Sequence, residues 1–313
     1  MKQIILMLII LPLVTYAQTC DKIMKNIVSK YEYETRFVNL DTIEIAYIKE
    51  GKGEKTLLFV HGLSSNADAW SKNIKTLKEN FTCVALDLPG YGKSSKPENV
   101  SYTPSYFAKT ITALIDELKL KNVILIGHSM GGQAAIKLAI NSPEKIDKLI
   151  LVAPAGIETF SEAHGIIMKT MFTPEFVAST NNEQIKNNYA LNFYKQPNEV
   201  DKMIEDRIAI KEAIDFEAHC IAISKSIAGM LNDPVVDDLA KISHKTLVLY
   251  GKNDRLIPNR YFHPDLDVAK VGEKAKELIK NSQLNFVEES GHFLQFEQSE
   301  KVNFLIKEFI EKD

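Results

Sequence analysis

The sequence predicts an α/β fold, a mostly parallel central sheet flanked by helices and interrupted by an inserted helical unit. Three observations carry the prediction. Short strands that are apolar throughout alternate with helical stretches over residues 56–152 and again over 246–310, as in a sheet covered on both faces. Gly127-His128-Ser129-Met130-Gly131 stands between an apolar run and a helix-forming stretch, a strand, sharp turn and helix in succession. The two alternating tracts are separated by residues 156–241, which show helical periodicity and no convincing strand.

At the start of the chain, Met1-Lys2 is basic, residues 4–14 are almost wholly apolar, and Thr15-Tyr16-Ala17 ends on a small residue. This is the layout of a secretory signal peptide over residues 1–17, with cleavage expected after Ala17 and export of the mature chain. The apolar run is too short for about 30 Å of hydrocarbon, so no stable membrane span is expected. Cys20 lies close enough to the cut to leave two further fates open, acylation or disulfide pairing; Thr19 before it disfavours acylation.

Residues 35–50 alternate polar with β-branched and aromatic side chains, predicting two antiparallel strands joined near Asp41. Buried strands follow at 56–60, 83–86, 123–126 and 149–152, separated by helices at 67–77, 106–118 and 130–140. The middle helix carries Phe107, Ile111, Leu114, Ile115 and Leu118 on one face, and right-handed crossovers link the strands. Helices at 163–172, 182–189, 200–214 and 218–228 fill the insertion, read as a lid over the strand ends. The pattern resumes with a strand at 246–250, a helix at 269–280, a strand at 284–287 and a last helix at 300–310. The core is therefore 18–155 with 242–313, around a lid at 156–241.

With 313 residues, 45% hydrophobic and 25% charged, the chain suits one core plus an insertion. A net charge of −3 leaves no basic excess to hold phosphate backbones, so nucleic acid is not an expected partner. Three cysteines cannot all pair within one chain, and Cys83 and Cys220 sit in apolar runs that read as buried. The seven histidines show no metal-ligand spacing, so neither a metal nor another cofactor is expected. Oligomeric state is not legible.

The chemistry centres on Ser129. Glycines at 127 and 131 relieve the crowding of a turn that lifts the hydroxyl above the sheet, and the Met130 amide at the helix start is placed to stabilise a developing negative charge. A serine hydroxyl needs a base and a group to orient that base. His292, in Glu289-Ser290-Gly291-His292-Phe293, follows the last strand, and Asp254, in Gly251-Lys252-Asn253-Asp254, follows the strand before it. Loops at the carboxyl ends of strands are where functional groups collect in such sheets. Glu158, after the strand at 149–152, is the alternative acid. His61-Gly62-Leu63-Ser64 follows the strand at 56–60; Gly62 is expected to permit a tight turn that frees the Leu63 amide as a second donor. His61 is read as orienting this loop and His128 as a packing or hydrogen-bonding residue of the elbow. Met168, Met171, Phe172, Phe176, Phe193, Tyr194 and Met230 are read chiefly as the lid's own core.

These residues resemble the α/β-hydrolase superfamily over nearly the whole mature chain, and the order Ser129, Asp254, His292 is that of its triad. Asp87-Leu88-Pro89-Gly90-Tyr91-Gly92-Lys93-Ser94 resembles the superfamily's D-x-P-G-x-G-x-S loop, and His61-Gly62 its oxyanion loop. The resemblance implies a serine hydrolase with catalytic Ser129, His292 and Asp254, oxyanion amides at Leu63 and Met130, and a small, apolar acyl substrate. Serine at the elbow departs from the haloalkane dehalogenases and epoxide hydrolases, which carry aspartate there. Met-Gly-Gly after the serine and the lid position resemble carboxylesterases, lipases and meta-cleavage C–C hydrolases. Ester hydrolysis is the expectation; C–C hydrolysis, perhydrolysis and a non-catalytic binding module on the same fold are the alternatives.

Overall fold

The computed structural model describes residues 22–312; the expected leader, its cleavage point and Cys20 lie outside the described residues. A short helix, α1 (Met24–Ile27), leads into β1 (Thr35–Leu40) and β2 (Ile43–Glu50). These pair antiparallel around Asp41, which takes a positive φ of 56° in the turn. The buried strands are β3 (Thr56–Val60), β4 (Thr82–Leu86), β5 (Val123–His128), β6 (Lys148–Val152) and β7 (Lys245–Gly251), followed by the partly buried edge strand β8 (Ser282–Val287). They form one eight-stranded sheet in the order β1-β2-β4-β3-β5-β6-β7-β8. From β4 to β8 every neighbouring pair is parallel, while β2 joins β4 antiparallel.

The covering helices are α2 (Ser71–Leu77), α3 (Pro104–Glu117) and α4 (Met130–Asn141). The expected helix at 67–77 is divided: Ala67–Trp70 is 3-10, and α2 begins at Ser71. Asn66 caps that start by accepting from the Asp68 amide, which tightens the first turn. Thr103 caps α3, with Pro104 at the first helical position. Its stripe of Phe107, Ile111, Leu114 and Ile115 is buried, as the spacing requires.

The order of the sheet positions everything that follows. Because β3 lies between β4 and β5, the chain leaves β3 toward one side and later crosses to the other, opening a crevice at the carboxyl ends of β3 and β5. Val60 is in register with Gly127, so the segments after these two strands emerge side by side. Helix α4 starts directly against them. A Cβ on Gly131 would stand 2.5 Å from the His61 carbonyl oxygen and 2.6 Å from that of Val60, and one on Gly127 would strike the Gly131 carbonyl.

Between β6 and β7 lie α5 (Glu162–Met171), α6 (Pro174–Ser179), α7 (Asn182–Ala190), α8 (Val200–Ala209) and α9 (Phe216–Asn232), with 3-10 turns at Ile210–Glu212 and Val236–Lys241. The expected helix at 200–214 ends early, because Ala213 turns extended after the 3-10 segment. Helix α6 has no counterpart in the sequence reading, although Thr173-Pro174-Glu175 carried its signal: a threonine cap, proline at the first position and an acid in the first turn. Helix α9 ties this unit to the core. The Tyr91 hydroxyl donates to Ser226 Oγ (2.7 Å), His219 Nδ1 donates to the Gly90 carbonyl (2.8 Å), and Gln133 Nε2 donates to the Met230 carbonyl (2.9 Å). α10 (Val268–Leu278), α11 (Leu294–Glu297) and α12 (Ser299–Glu311) complete the chain.

Since the atoms facing Gly131 are backbone carbonyls of β3 and the residue after it, they cannot move aside without breaking strand pairing. Gly131→Ala is expected to destabilise the fold by about 1–3 kcal/mol, the usual cost of overpacking, read as a lower urea midpoint at unchanged m-value.

Candidate active site

Ser129 links β5 to α4 with φ 52° and ψ −118°. A non-glycine residue held there costs about 1–3 kcal/mol and persists only where its surroundings over-determine it. Here the Ser129 amide donates to the Val152 carbonyl (3.0 Å), and the Ser129 carbonyl accepts from the Gln133 (3.1 Å) and Ala155 (3.0 Å) amides. The side chain lines a cavity of about 560 Å³ beneath the insertion. Met130, as the first residue of α4, has no acceptor within the helix for its amide.

His292 and Asp254 meet because their loops touch. Gly251 ends β7 in register with Val287 of β8, and a Cβ on Gly251 would collide with the Gly291 carbonyl. The Asn253 amide then donates to the Ser290 carbonyl (2.9 Å). From these loops His292 Nδ1 donates to Asp254 Oδ2 at 2.8 Å, with both side chains almost fully buried. The other oxygen, Oδ1, accepts from the Leu256 (2.8 Å) and Ile257 (3.0 Å) amides, fixing the carboxylate's orientation. A proton on Nδ1 leaves Nε2 as the free base. His292 lines the same cavity as Ser129, and no hydrogen bond joins Ser129 Oγ to His292 Nε2 in this structure.

The histidines beside Ser129 act on backbone. His128 Nε2 donates to the His292 carbonyl (3.0 Å), and the two rings lie 4.9 Å apart, so the elbow holds the histidine loop directly. Burial first, and then the proximity of His292, push its pKa well below the ordinary histidine value. His61 is wholly buried: Nδ1 donates to the Gly62 carbonyl (2.7 Å) and Nε2 accepts from the Leu88 amide (3.0 Å). One neutral tautomer satisfies both bonds, and burial holds the pKa down to about 4. In a trans peptide the carbonyl and the following N–H point oppositely. Fixing the Gly62 carbonyl on His61 therefore fixes the Leu63 N–H on the other side, and Leu63 lines the cavity. Gly62 owes its place to something other than the expected turn: its φ is not positive, but a Cβ there would stand 2.9 Å from His128 Nδ1 and 3.1 Å from Ser129 Cβ.

Glu158 lines the cavity without touching His292. Its carboxylate accepts from the Asn259 amide (2.9 and 3.2 Å) and lies 3.5 Å from His263 Nε2. Burial, with the Asp254 charge adding to it against the Asn259 bond, pushes its pKa up to about 7. Of the apolar insertion residues, Met168, Phe172, Phe176, Phe193 and Met230 line the cavity, whereas Met171 and Tyr194 are about half exposed. Among the polar lining residues given no role in the sequence analysis, two have a side-chain nitrogen left without a partner. His219 Nε2 and Arg207 Nη1 are both inaccessible and unpartnered, and Arg207 forms no ion pair among the described residues. An arginine on a charged amphipathic helix reads as solvated, so no local signal marked it. Cys83 and Cys220 are buried free thiols, with burial pushing them up to about 12 and 11. Among the described residues no group of three or more His, Cys, Asp or Glu is arranged to hold a metal. No helix among them is long and apolar enough to cross a membrane.

The alpha/beta hydrolase fold family model matches residues 55–202. The chain is 27% identical over 277 residues, 88% of its length and 68% of the relative's, to the dihydrolipoyllysine-residue acetyltransferase component of the acetoin cleaving system of Cupriavidus necator. It is 26% identical over 290 residues, 88% of this chain and 95% of the relative, to the 2-hydroxy-6-oxononadienedioate/2-hydroxy-6-oxononatrienedioate hydrolase of Escherichia coli O81. An esterase from Exiguobacterium antarcticum shares its structure with a TM-score of 0.75 at 25% identity, covering 89% of this chain and 100% of that one. With the eight-stranded sheet and its flanking helices, these matches show that the chain has the α/β-hydrolase fold.

Glu158 sets a pH dependence whose sign follows from linkage. Its folded pKa of about 7 lies above the ordinary 4.5, so the folded state holds the proton longer and stability falls as pH rises from about 4.5 to 7. Glu158→Gln removes that fall. The melting temperature of the variant minus that of the wild type is expected to rise by a few degrees between pH 5 and pH 8, and a constant difference would contradict the assignment.

Proposed function

We propose that this protein is a serine hydrolase that cleaves carboxylic esters through an acyl-enzyme. The observation that carries the reading is the 2.8 Å bond from His292 Nδ1 to Asp254 Oδ2, which presents Nε2 as a base on the cavity that Ser129 lines. In this reading His292 Nε2 takes the Ser129 proton as Oγ attacks the ester carbonyl, and Asp254 holds the tautomer and stabilises the imidazolium. The carbonyl oxygen becomes an oxyanion against the Leu63 and Met130 amides, each contributing about 10² to 10³ in rate. Collapse expels the alkoxide, which takes the proton from His292. Water, deprotonated by His292, then attacks the acyl carbon; the bond to Ser129 Oγ breaks, Oγ takes the proton back from His292, and the acid leaves. The apolar walls supplied by Met168, Phe172, Phe176, Phe193 and Met230 suit an apolar acyl group.

A second reading, C–C bond hydrolysis, is favoured by one observation. Arg207 lines the cavity with an unpartnered Nη1 and no carboxylate counter-ion, and a buried guanidinium left unpaired is costly unless a ligand supplies the charge. The Escherichia coli relative is named for dioate substrates. On that reading the same Ser129, His292 and Asp254 act on a ketone whose carboxylate pairs with Arg207.

Residues 18–313 are expected to hydrolyse p-nitrophenyl acetate, butyrate and octanoate with an acyl-enzyme burst. Ser129→Ala is expected to lose at least about 10³ in kcat. Absence of turnover together with absence of fluorophosphonate labelling at Ser129 would remove the ester reading. Arg207→Met separates the two readings: if the cavity takes an anionic substrate, the ratio of kcat/KM for a p-nitrophenyl ester bearing a terminal carboxylate to that for its neutral analogue falls at least about tenfold, the range for losing a charge-assisted hydrogen bond. An unchanged ratio favours neutral esters.

A further inference from the structure

Residues 22–32 run along the seam between core and insertion and are bonded to both. Toward the insertion, the Lys22 carbonyl accepts from the Ile214 amide (3.1 Å), and the Met24 amide donates to Asp215 Oδ1 (2.7 Å). Ser29 donates from its amide (2.9 Å) and its hydroxyl (2.8 Å) to the two oxygens of Asp206. Toward the core, Lys93 Nζ donates to the carbonyls of Val28 (2.6 Å) and Lys25 (3.2 Å). The Tyr31 hydroxyl donates to Asp87 Oδ2 (2.7 Å) and the Glu32 amide to Asp68 Oδ1 (2.8 Å). So short a segment, with one four-residue helix, has no core of its own; its order comes from these bonds.

What the strap holds in place faces inward. Met24 and Val28, four residues apart and so on one face, are 3% and 4% exposed, and both line the cavity that contains Ser129 and His292. Every other lining residue belongs to the core from Leu63 onward or to the insertion. Two side chains of the cavity wall are thus contributed by a segment that precedes the sheet altogether.

We propose that this N-terminal strap determines substrate specificity, with Met24 and Val28 closing the seam side of the cavity and limiting the length of the apolar group it admits. The inference rests on the reading of the cavity as the site where Ser129 acts. Shortening Met24 opens room for additional methylenes, each of which adds about fourfold when buried. Enlarging Val28 does the reverse.

The test uses Met24→Ala and Val28→Phe in the protein spanning residues 18–313, each measured for kcat and KM on p-nitrophenyl acetate, butyrate, hexanoate and octanoate, with melting temperature recorded alongside. The octanoate to acetate ratio of kcat/KM is expected to rise about tenfold or more in Met24→Ala and to fall in Val28→Phe. Ratios within twofold of the wild type in both variants, even with lowered melting temperatures, would overturn the proposal and leave the strap a clasp only. Because esters are themselves a proposal, the same variants are placed in a Ser129→Ala background. Thermal stabilisation by butyrate and octanoate is then compared, a readout that needs no catalysis. A shifted preference for octanoate there supports the strap even if no ester is turned over, and an unchanged preference overturns it.

Discussion

The structure depends on how closely the first turn of α4 approaches the carboxyl end of β3. Gly131 lies against the Val60 and His61 carbonyls and Gly127 against Gly131, contacts that leave no room for a Cβ. That closeness brings the turn that carries Ser129 against the segment that leads into Leu63. Without it the serine would still stand at a strand end, but not beside the segment that carries Leu63, which lines the same cavity. The strain at Ser129 is held by three backbone bonds, to Val152, Gln133 and Ala155, so three elements share in fixing one side chain.

Protonation states around the site are set by burial more than by charge pairing. His61, His128 and His219 are all driven toward the neutral form, burial being the largest cause in each. Each spends a ring N–H on a backbone carbonyl: Gly62, His292 and Gly90 respectively. They work as positioned donors, locking the loops that carry Leu63, His292 and Tyr91. His292 differs in having a carboxylate on Nδ1, the arrangement that allows a histidine to accept and return a proton.

Two of the places where the insertion is fastened to the core differ in character. Helix α9 is held through buried bonds to Tyr91 and Gly90, with Ala222 packed where Gly90 has no side chain. The N-terminal strap is held mainly by hydrogen bonds to Asp206, Asp215, Asp68 and Lys93 at the half-exposed seam. The strap combines these bonds with the buried side chains of Met24, Val28 and Tyr31, while α9 rests on close packing and buried bonds.

Local patterns determined much of this molecule. Continuously apolar runs mark β3 to β7, and helical spacing marks α3, because burial on two faces or one stripe leaves a periodic trace in sequence. The elbow, the histidine loop and the acid loop were legible for a similar reason, since each is a short segment after a strand whose residue types are dictated by the backbone there. Other features left no such trace. The 3-10 start at Ala67, the early end of α8 and the strap before β1 depend on what packs against them. Asp254 was the expected acid and Glu158 the alternative, both after parallel strands; the contact of Gly251 with Gly291 is what brings Asp254 to His292. Nothing in the sequence singled out Arg207, whose inaccessible Nη1 exists only once α8 lies over the cavity. Sequence fixes local conformation through sterics and periodicity, whereas the partner of a charged side chain is chosen by residues distant in the chain and appears only when the sheet and insertion close together.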